Sequence, residues 1–488
     1  MKAFIYITIF LFCQMTAYTQ FTPFAYTYGG NGTVTGYDIV EANDSGYVCV
    51  GQLGSDGFTN GSSDMYAFKT NANGQLIWRK NYGGFNSEGA ESITKGHGGG
   101  FLLAGYTNSF GSGGYDYFLV RVDEEGDTIW SKAYGGQDWD FAHAICTTSD
   151  GNYLVAGETF SYGSGGSDVW VLKINDAGDT LNSFLWGDTG DQTCKSIYES
   201  SPGVCVMAGY GTFPPFHDNE DAFMLSWNHI SGATIFETVD TKPGNQQINS
   251  CDSSTTGAII AFGSESLDDV KWDMYVSFYS QAGNFVSSPS LLEPGTTKEL
   301  FAGANYRNIG YYVTGTRAPI GSSDIEIVYY RLDPSGYVNF GLVLAGSGLN
   351  SGQSLLESSD RGLVIAGTAE GFGPGMSAAI IWKIDSMMVP GTNPVPMLDM
   401  EEFAGNYEGV SLFPNPFTAE ITITAPEETS ILSLRIFNME GKQVYSNQDF
   451  SGSTGQNIDL SYLKSGVYFT ELELKGGHHH RAKLIKYP

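Results

Sequence analysis

Six polar side chains recur along this chain at a near-fixed interval: Tyr37, Glu91, His143, Lys195, Asn249 and Gln353. The first five are 54, 52, 52 and 54 residues apart. So polar and varied a set, with His143 the most reactive member, could line a ligand site, and is also simply what a water-filled channel needs. A second series is acidic: Asp64, Asp116, Asp168, Asp221, Asp273 and Asp324, with Lys69, Arg121 and Lys173 five residues after the first three. A ring of carboxylates suits Ca²⁺ or a cationic ligand. An Asp can equally cap a Gly-rich loop by accepting backbone N–H bonds or pair with a neighbouring repeat, and recurrence in nearly every period favours such a scaffold role. The stretches 123–127 and 175–179 have the look of calcium loops but lack the terminal bidentate Glu. Asp and Gly are also what a hairpin turn asks for. His478, His479 and His480 could offer imidazoles to a metal, but a strand puts at most two of the three on one face, and a solvated hairpin is expected. No cofactor is expected; calcium is the one ion these positions would suit.

The interval belongs to the whole chain. Gly51, Gly105, Gly157, Gly209, Gly263, Gly315 and Gly367 follow one another at 52 or 54 residues, which is a repeat architecture. In the second repeat, 89–95 reads as a first strand, the apolar run 101–106 as a buried second, 117–123 as a third and 128–134 as a fourth, joined by Gly-rich turns. Four short antiparallel strands per unit make one propeller blade, and the first strand of each blade lines the central channel. The six recurring polar residues fall on these first strands, so they form a candidate channel ligand ring. The last repeat stops after its third strand at 385, while 24–30 (FAYTYGG) matches the fourth strands 131–136 and 79–84. The N-terminal strand is therefore expected to complete the last sheet and remove an exposed edge. The fold expected is all-β: a seven-bladed β-propeller over 21–385 closed by the N-terminal strand. A linker (386–409) and a small β-sandwich (410–488) follow.

The chain has 488 residues, 53 acidic against 24 basic, and a formal net charge of −29, almost all of it before residue 409. That balance argues against nucleic acid or an anionic membrane as a partner. Lys2, an apolar stretch to Cys13 and a small-residue segment ending near Gln20 read as a signal peptide (1–20), too short to span a bilayer, and no other segment reads as transmembrane. Cys49, Cys146, Cys194, Cys205 and Cys251 remain beyond it, an odd number in apolar contexts. Buried free thiols are expected, with a Cys194–Cys205 disulfide as the alternative.

The C-terminal motifs LFPNPF, IFNMEGKQVY, LKSGVYF and KLIK, in that order over 410–488, closely resemble the C-terminal sorting domain of the Bacteroidetes type IX secretion system. The resemblance implies Sec delivery, passage through the type IX translocon as partner, and release or attachment at the cell surface. By position it implies sorting elements at Pro414, Asn415 and Pro416, at Gly441 and Lys442, at Gly466, Val467 and Tyr468, and at Lys483, Leu484 and Ile485. Residues 24–385 resemble Gly-rich propeller repeats of secreted bacterial and archaeal surface proteins, which implies the fold and little about activity. The D-x-x-G-x-x-x-W pattern at Trp78 and Trp130 is similar to the repeats of pyrroloquinoline quinone dehydrogenases, but only two repeats keep the Trp, and core packing accounts for it. Asp-Thr/Ser-apolar triplets at Thr128, Thr180 and Ser386 resemble the Bacteroidetes O-glycosylation sequon.

No nucleophile elbow, phosphate loop or zinc-protease helix is present in the sequence. The reading is a secreted or surface-attached, non-catalytic binding or adhesion protein with a glycan or surface-protein ligand. The competing readings are a polysaccharide hydrolase or lyase working in the channel and a structural matrix component. Converging buried ionisable groups at one channel mouth would favour the enzyme. The segment 210–223 is the irregular loop expected to contribute a contact surface.

Overall fold

The computed structural model describes residues 23–29, 32–54, 62–214, 217–254, 256–267, 271–289, 296–306, 309–319, 322–344, 348–370, 376–386, 395–397, 411–413, 417–424, 431–438, 443–447, 455–464, 466–475 and 478–486. The described residues contain strands and turns and no α-helix. Up to residue 397 they build seven sheets, six of them four-stranded with consecutive strands as neighbours. Sheet two is typical: Glu88–Lys95, Phe101–Thr107, Asp116–Val122 and Thr128–Tyr134. Its central two strands are almost wholly buried because sheets cover both faces, which is why they read as continuous apolar runs. The fourth strand is exposed or half-buried along its whole length.

There is no single central core; apolar side chains fill the gaps between successive sheets. Val48, Met65, Phe101 and Phe118 pack between sheets one and two. Leu102, Leu119, Tyr153 and Leu172 do so between two and three, and equivalent clusters join three to four, four to five, five to six and six to seven. The last cluster brings Tyr28, Val364 and Ile381 of sheet seven against Ile39, Tyr47 and Phe68 of sheet one, so the array returns on itself. The first strand of each sheet touches the first strand of the next, which places these strands on the inside of a β-propeller-like arrangement.

The N-terminal strand, Phe24–Tyr28, pairs antiparallel with Ala378–Ile384, from Phe24 opposite Lys383 to Tyr28 opposite Ala379. It takes the fourth place in sheet seven, as its sequence match to the other fourth strands requires. Val395–Met397, in the expected linker, adds a fifth strand parallel to it. A three-residue strand carries too little period to be read from sequence.

The C-terminal residues form two further sheets: Ser411–Phe413, Glu420–Thr424 and Gly455–Asp459, and Gln443–Asn447, Ile431–Asn438, Gly466–Leu474 and His478–Lys486. Ile421, Ile423 and Ile458 of the first share one core with Leu434, Leu472 and Leu484 of the second. The three consecutive histidines begin the second strand of the hairpin formed by Gly466–Leu474 and His478–Lys486, opposite Leu472 to Leu474. All five cysteines beyond the N-terminal stretch are free; Cys49, Cys194, Cys205 and Cys251 are buried, so no Cys194–Cys205 disulfide is present. Burial raises the Cys146 and Cys194 thiols to about 12.

Candidate functional site

Each first strand carries a one-residue bulge at the same register position. Pairing with the second strand skips Tyr37, Glu91, His143, Lys195, Asn249, Phe301 and Gln353 in turn. A bulge turns one side chain out of the pleat, and here it aims one residue per sheet toward the inside of the ring. The bulges also explain the seven regular glycines. A Cβ on any of them would lie 1.8–2.0 Å from the carbonyl oxygen two residues before the bulged residue, on the facing strand. Only a residue without a side chain lets that carbonyl in.

The bulged residues do not all meet. His143 is gripped on both ring nitrogens: Nδ1 lies 3.0 Å from Glu91 Oε2, and Nε2 lies 3.5 Å from Glu158 Oε1. The imidazole side chain is 8% exposed, and the carboxylates 27% and 20%. Burial and the Lys195 ammonium work against a charge on His143, but the two carboxylates prevail and raise its pKa above the ordinary imidazole value. Burial pushes Glu91 upward, yet His143 and Lys195 together bring it down to about 2. Glu158 is likewise lowered against burial by its bond to His143. The centre is thus an imidazole between two carboxylates with Lys195 nearby. Tyr37, Tyr106 and Tyr210 stand around it, their phenols raised by burial and by the field of Glu91 or Glu220. Asn249 and Gln353 are spent locally, donating to the Leu300 carbonyl (2.9 Å) and to Ser351 Oγ (3.0 Å).

Sequence reasoning placed Glu91, His143 and Lys195 but missed Glu158, Tyr106 and Tyr210, which sit one residue after the marker glycines Gly157, Gly105 and Gly209. That position was legible as a second series at the same interval. Phe301, the seventh bulged residue, was passed over because it is apolar. The residue after each bulge was also missed. Asp38 is half-buried and accepts from Ser354 Oγ, Ile39 N, Ser92 Oγ and Ile93 N at 2.7–2.9 Å, tying sheets seven, one and two together behind the ring.

Two members of the acidic series close loops. Asp116 accepts from Ser112 N (2.9 Å) and Asp168 from Ser164 N (2.7 Å), each closing its own Gly-rich loop. The cations five residues on pair instead with hairpin acids: Lys69 with Asp44 and Glu124, Arg121 with Asp176, and Lys173 with Asp150. In the calcium-like hairpins, Asp123 Oδ1 accepts from Glu125 N and Asp127 N, and Asn175 Oδ1 from Ala177 N and Asp179 N, so turn N–H groups occupy the oxygens. Among the described residues no group of three or more His, Cys, Asp or Glu is placed to hold a metal ion. Trp78 and Trp130 cap the next sheet's hairpin through Nε1 to the Glu124 and Asp176 carbonyls, both at 2.9 Å.

Most of 210–223 is paired strand, Val204–Phe213 against His217–Asn228, rather than an irregular loop. Phe213 lines a groove of about 350 Å³ with Trp186, Asp188, Glu237, Gly187 and Val239. Thr128, Thr180 and Ser386 are exposed. Pro414, Asn415, Pro416, Gly441 and Lys442 lie outside the described residues, as does the stretch 1–20. Gly466, Val467 and Tyr468 lie in one edge-to-edge pair with Lys483, Leu484 and Ile485 (Tyr468 opposite Leu484), and the Tyr468 and Leu484 side chains are buried.

Comparison with known proteins separates the two parts of the chain. No curated protein matches the sequence. Among solved structures, the chain is similar to puromycin hydrolase (12% identity, TM-score 0.47, covering 81% of this chain and 59% of that one). It is also similar to Raptor of Chaetomium thermophilum (7%, 0.44, 73% and 28%) and to a europium-containing methanol dehydrogenase (10%, 0.39, 74% and 84%). The chain thus spans less than two thirds of the length of the first two. No helix among the described residues is long and apolar enough to cross a membrane. Residues 411–487 match the secretion system C-terminal sorting domain, and that type IX sorting domain marks the chain as a secreted or cell-surface protein.

Proposed function

We propose that the chain is a seven-bladed β-propeller (21–385), exported through a signal peptide (1–20) and a sandwich-like sorting domain (410–488), that binds a glycan or surface protein through the mouth of its channel. The observation that carries the binding reading is the His143 centre. Three ionisable groups converge there, which by geometry alone would suit catalysis. Cleavage of a glycosidic bond, however, needs one carboxyl kept protonated beside one kept ionised. Here both carboxylates touch the same imidazole and both are lowered by it, so neither is set apart as the protonated acid. A fixed set of donors and acceptors in a rigid ring is suited to recognition. Seven sheets closing through the N-terminal strand support the blade count, and the tail supports handling by the type IX translocon.

The test is to express the full chain in a type IX-competent bacterium with and without residues 411–487, then present the exported protein to arrayed glycans and surface extracts. The reading expects export only with the tail, and a ligand whose capture falls in the Glu91→Gln variant. Retention of the intact chain inside the cell, or capture indifferent to Glu91, would overturn it.

A further inference from the structure

The His143 centre continues outward into aromatic rings. Phe141 lies two residues before His143 and pairs across the strands with Glu158. Its ring is 5.5 Å from Tyr106 and 5.2 Å from Tyr115; Tyr115 is 6.1 Å from Trp139, and Trp139 is 6.3 Å from Phe160. Trp139 is 54% exposed and Phe160 41%. These residues come from three separate segments at one end of sheets two and three. Backbone bonds lock the segments together: Asp140 N to the Tyr115 carbonyl (2.7 Å) and Phe160 N to the Trp139 carbonyl (2.8 Å). Large rings held in place by their neighbours with about half of their surface in water mark a binding surface. Scaffold demands do not explain Trp139, because the equivalent position after the sheet-one Gly-Gly pair carries Ser87, and after Trp186-Gly187 carries Asp191.

We propose that this strip and the His143 centre form one subsite for an uncharged hexopyranose chain, an inference that rests on the channel-mouth reading above. The chemistry selects the ligand class. Flat aromatic faces take the C–H face of a pyranose ring, while the paired carboxylates and phenols at the inner end take its hydroxyls. At the inner end Glu91 and Glu158 are already engaged by His143 at 3.0 and 3.5 Å, so neither is a free carboxylate for a cationic ligand. The net charge of −29 disfavours an anionic polymer.

The experiment is affinity electrophoresis of the full chain in gels cast with hydroxyethyl cellulose, galactomannan or dextran, and separately with polygalacturonate. At least one neutral polymer should retard the protein. Trp139→Ala and Phe160→Ala should each weaken that retardation about tenfold. Both side chains are substantially exposed, so the melting temperature should hold, and a matched melt verifies it. No retardation by any neutral polymer, retardation by polygalacturonate alone, or retardation unchanged in both variants would overturn the inference. Ligand capture that needs Glu91 but not Trp139 defeats the aromatic strip and leaves the channel-mouth reading standing. Capture that needs neither defeats both.

Discussion

Replacing Gly157 with alanine tests how the scaffold aims His143. The added Cβ would stand 1.9 Å from the Phe141 carbonyl oxygen and 2.9 Å from Ala142 Cα. Both are backbone atoms of the bulged strand, so no side chain can swing aside. Relief requires the bulge to shift by about an ångström or to unpair. Overpacking of this kind costs about 1–3 kcal/mol, and a backbone obstacle inside a ladder belongs at the upper end. With an unfolding entropy of about 2 cal/mol/K per residue over ~360 residues, 3 kcal/mol lowers the melting temperature by about 4 °C. Gly151→Ala is the control. That residue has φ +82° with nothing within 4 Å of its Cβ, so it bears only the left-handed backbone cost of about 1 kcal/mol, or about 1 °C. Differential scanning fluorimetry on the full chain reads both. NMR titration of His143 gives the second readout, because displacing the bulge loosens its 3.0 Å contact with Glu91 and lets its pKa fall. A Gly157→Ala protein that melts with wild type and keeps the raised His143 pKa would refute the reasoning.

Three further outcomes follow from the same geometry. Lys383 is fully buried against Asp360 (2.6 Å) and Tyr47 Oη (3.0 Å), bridging sheets seven and one. Lys383→Met should cost about 3–5 kcal/mol in urea unfolding by stranding the Asp360 carboxylate, and Lys383→Met with Asp360→Asn should recover more than half. Glu91 is held at about 2, below its ordinary 4.5, so its stabilisation is present above pH 4.5 and is lost as pH falls toward 2. His143 is raised, so its contribution is present below pH 6.5 and is lost as pH rises through its folded value. Glu91→Gln should flatten the stability profile on both flanks. Finally, the five buried or half-buried thiols should react slowly with a thiol reagent in the native protein and completely, without reductant, once it is unfolded.

Much of the scaffold was legible because it repeats. The strands read at 101–106 and 128–134 appear as Phe101–Thr107 and Thr128–Tyr134, since burial on both faces writes a continuous apolar run and a terminal Gly-Gly punctuates the fourth strand. The fate of Phe24–Tyr28 followed from its likeness to the other fourth strands. The marker glycines were visible as a period, but their cause was not, because a carbonyl pressing on a Cβ position is a contact between strands. The site was half legible for the same reason. Glu91, His143 and Lys195 share one period and could be aligned. Glu158 meets His143 only through strand pairing, and Trp139 meets Phe160 only through loop packing. The five-residue spacing from Asp116 to Arg121 suggested one unit, yet strand alternation sends Asp116 to its own loop and Arg121 to Asp176 of the next sheet.

The most direct measurement is the affinity of the exported full chain for its captured ligand in the His143→Ala variant, against wild type, with matched melting curves. The account predicts loss of binding by tenfold or more while the ring stays folded. Undiminished affinity in a folded His143→Ala protein would contradict it.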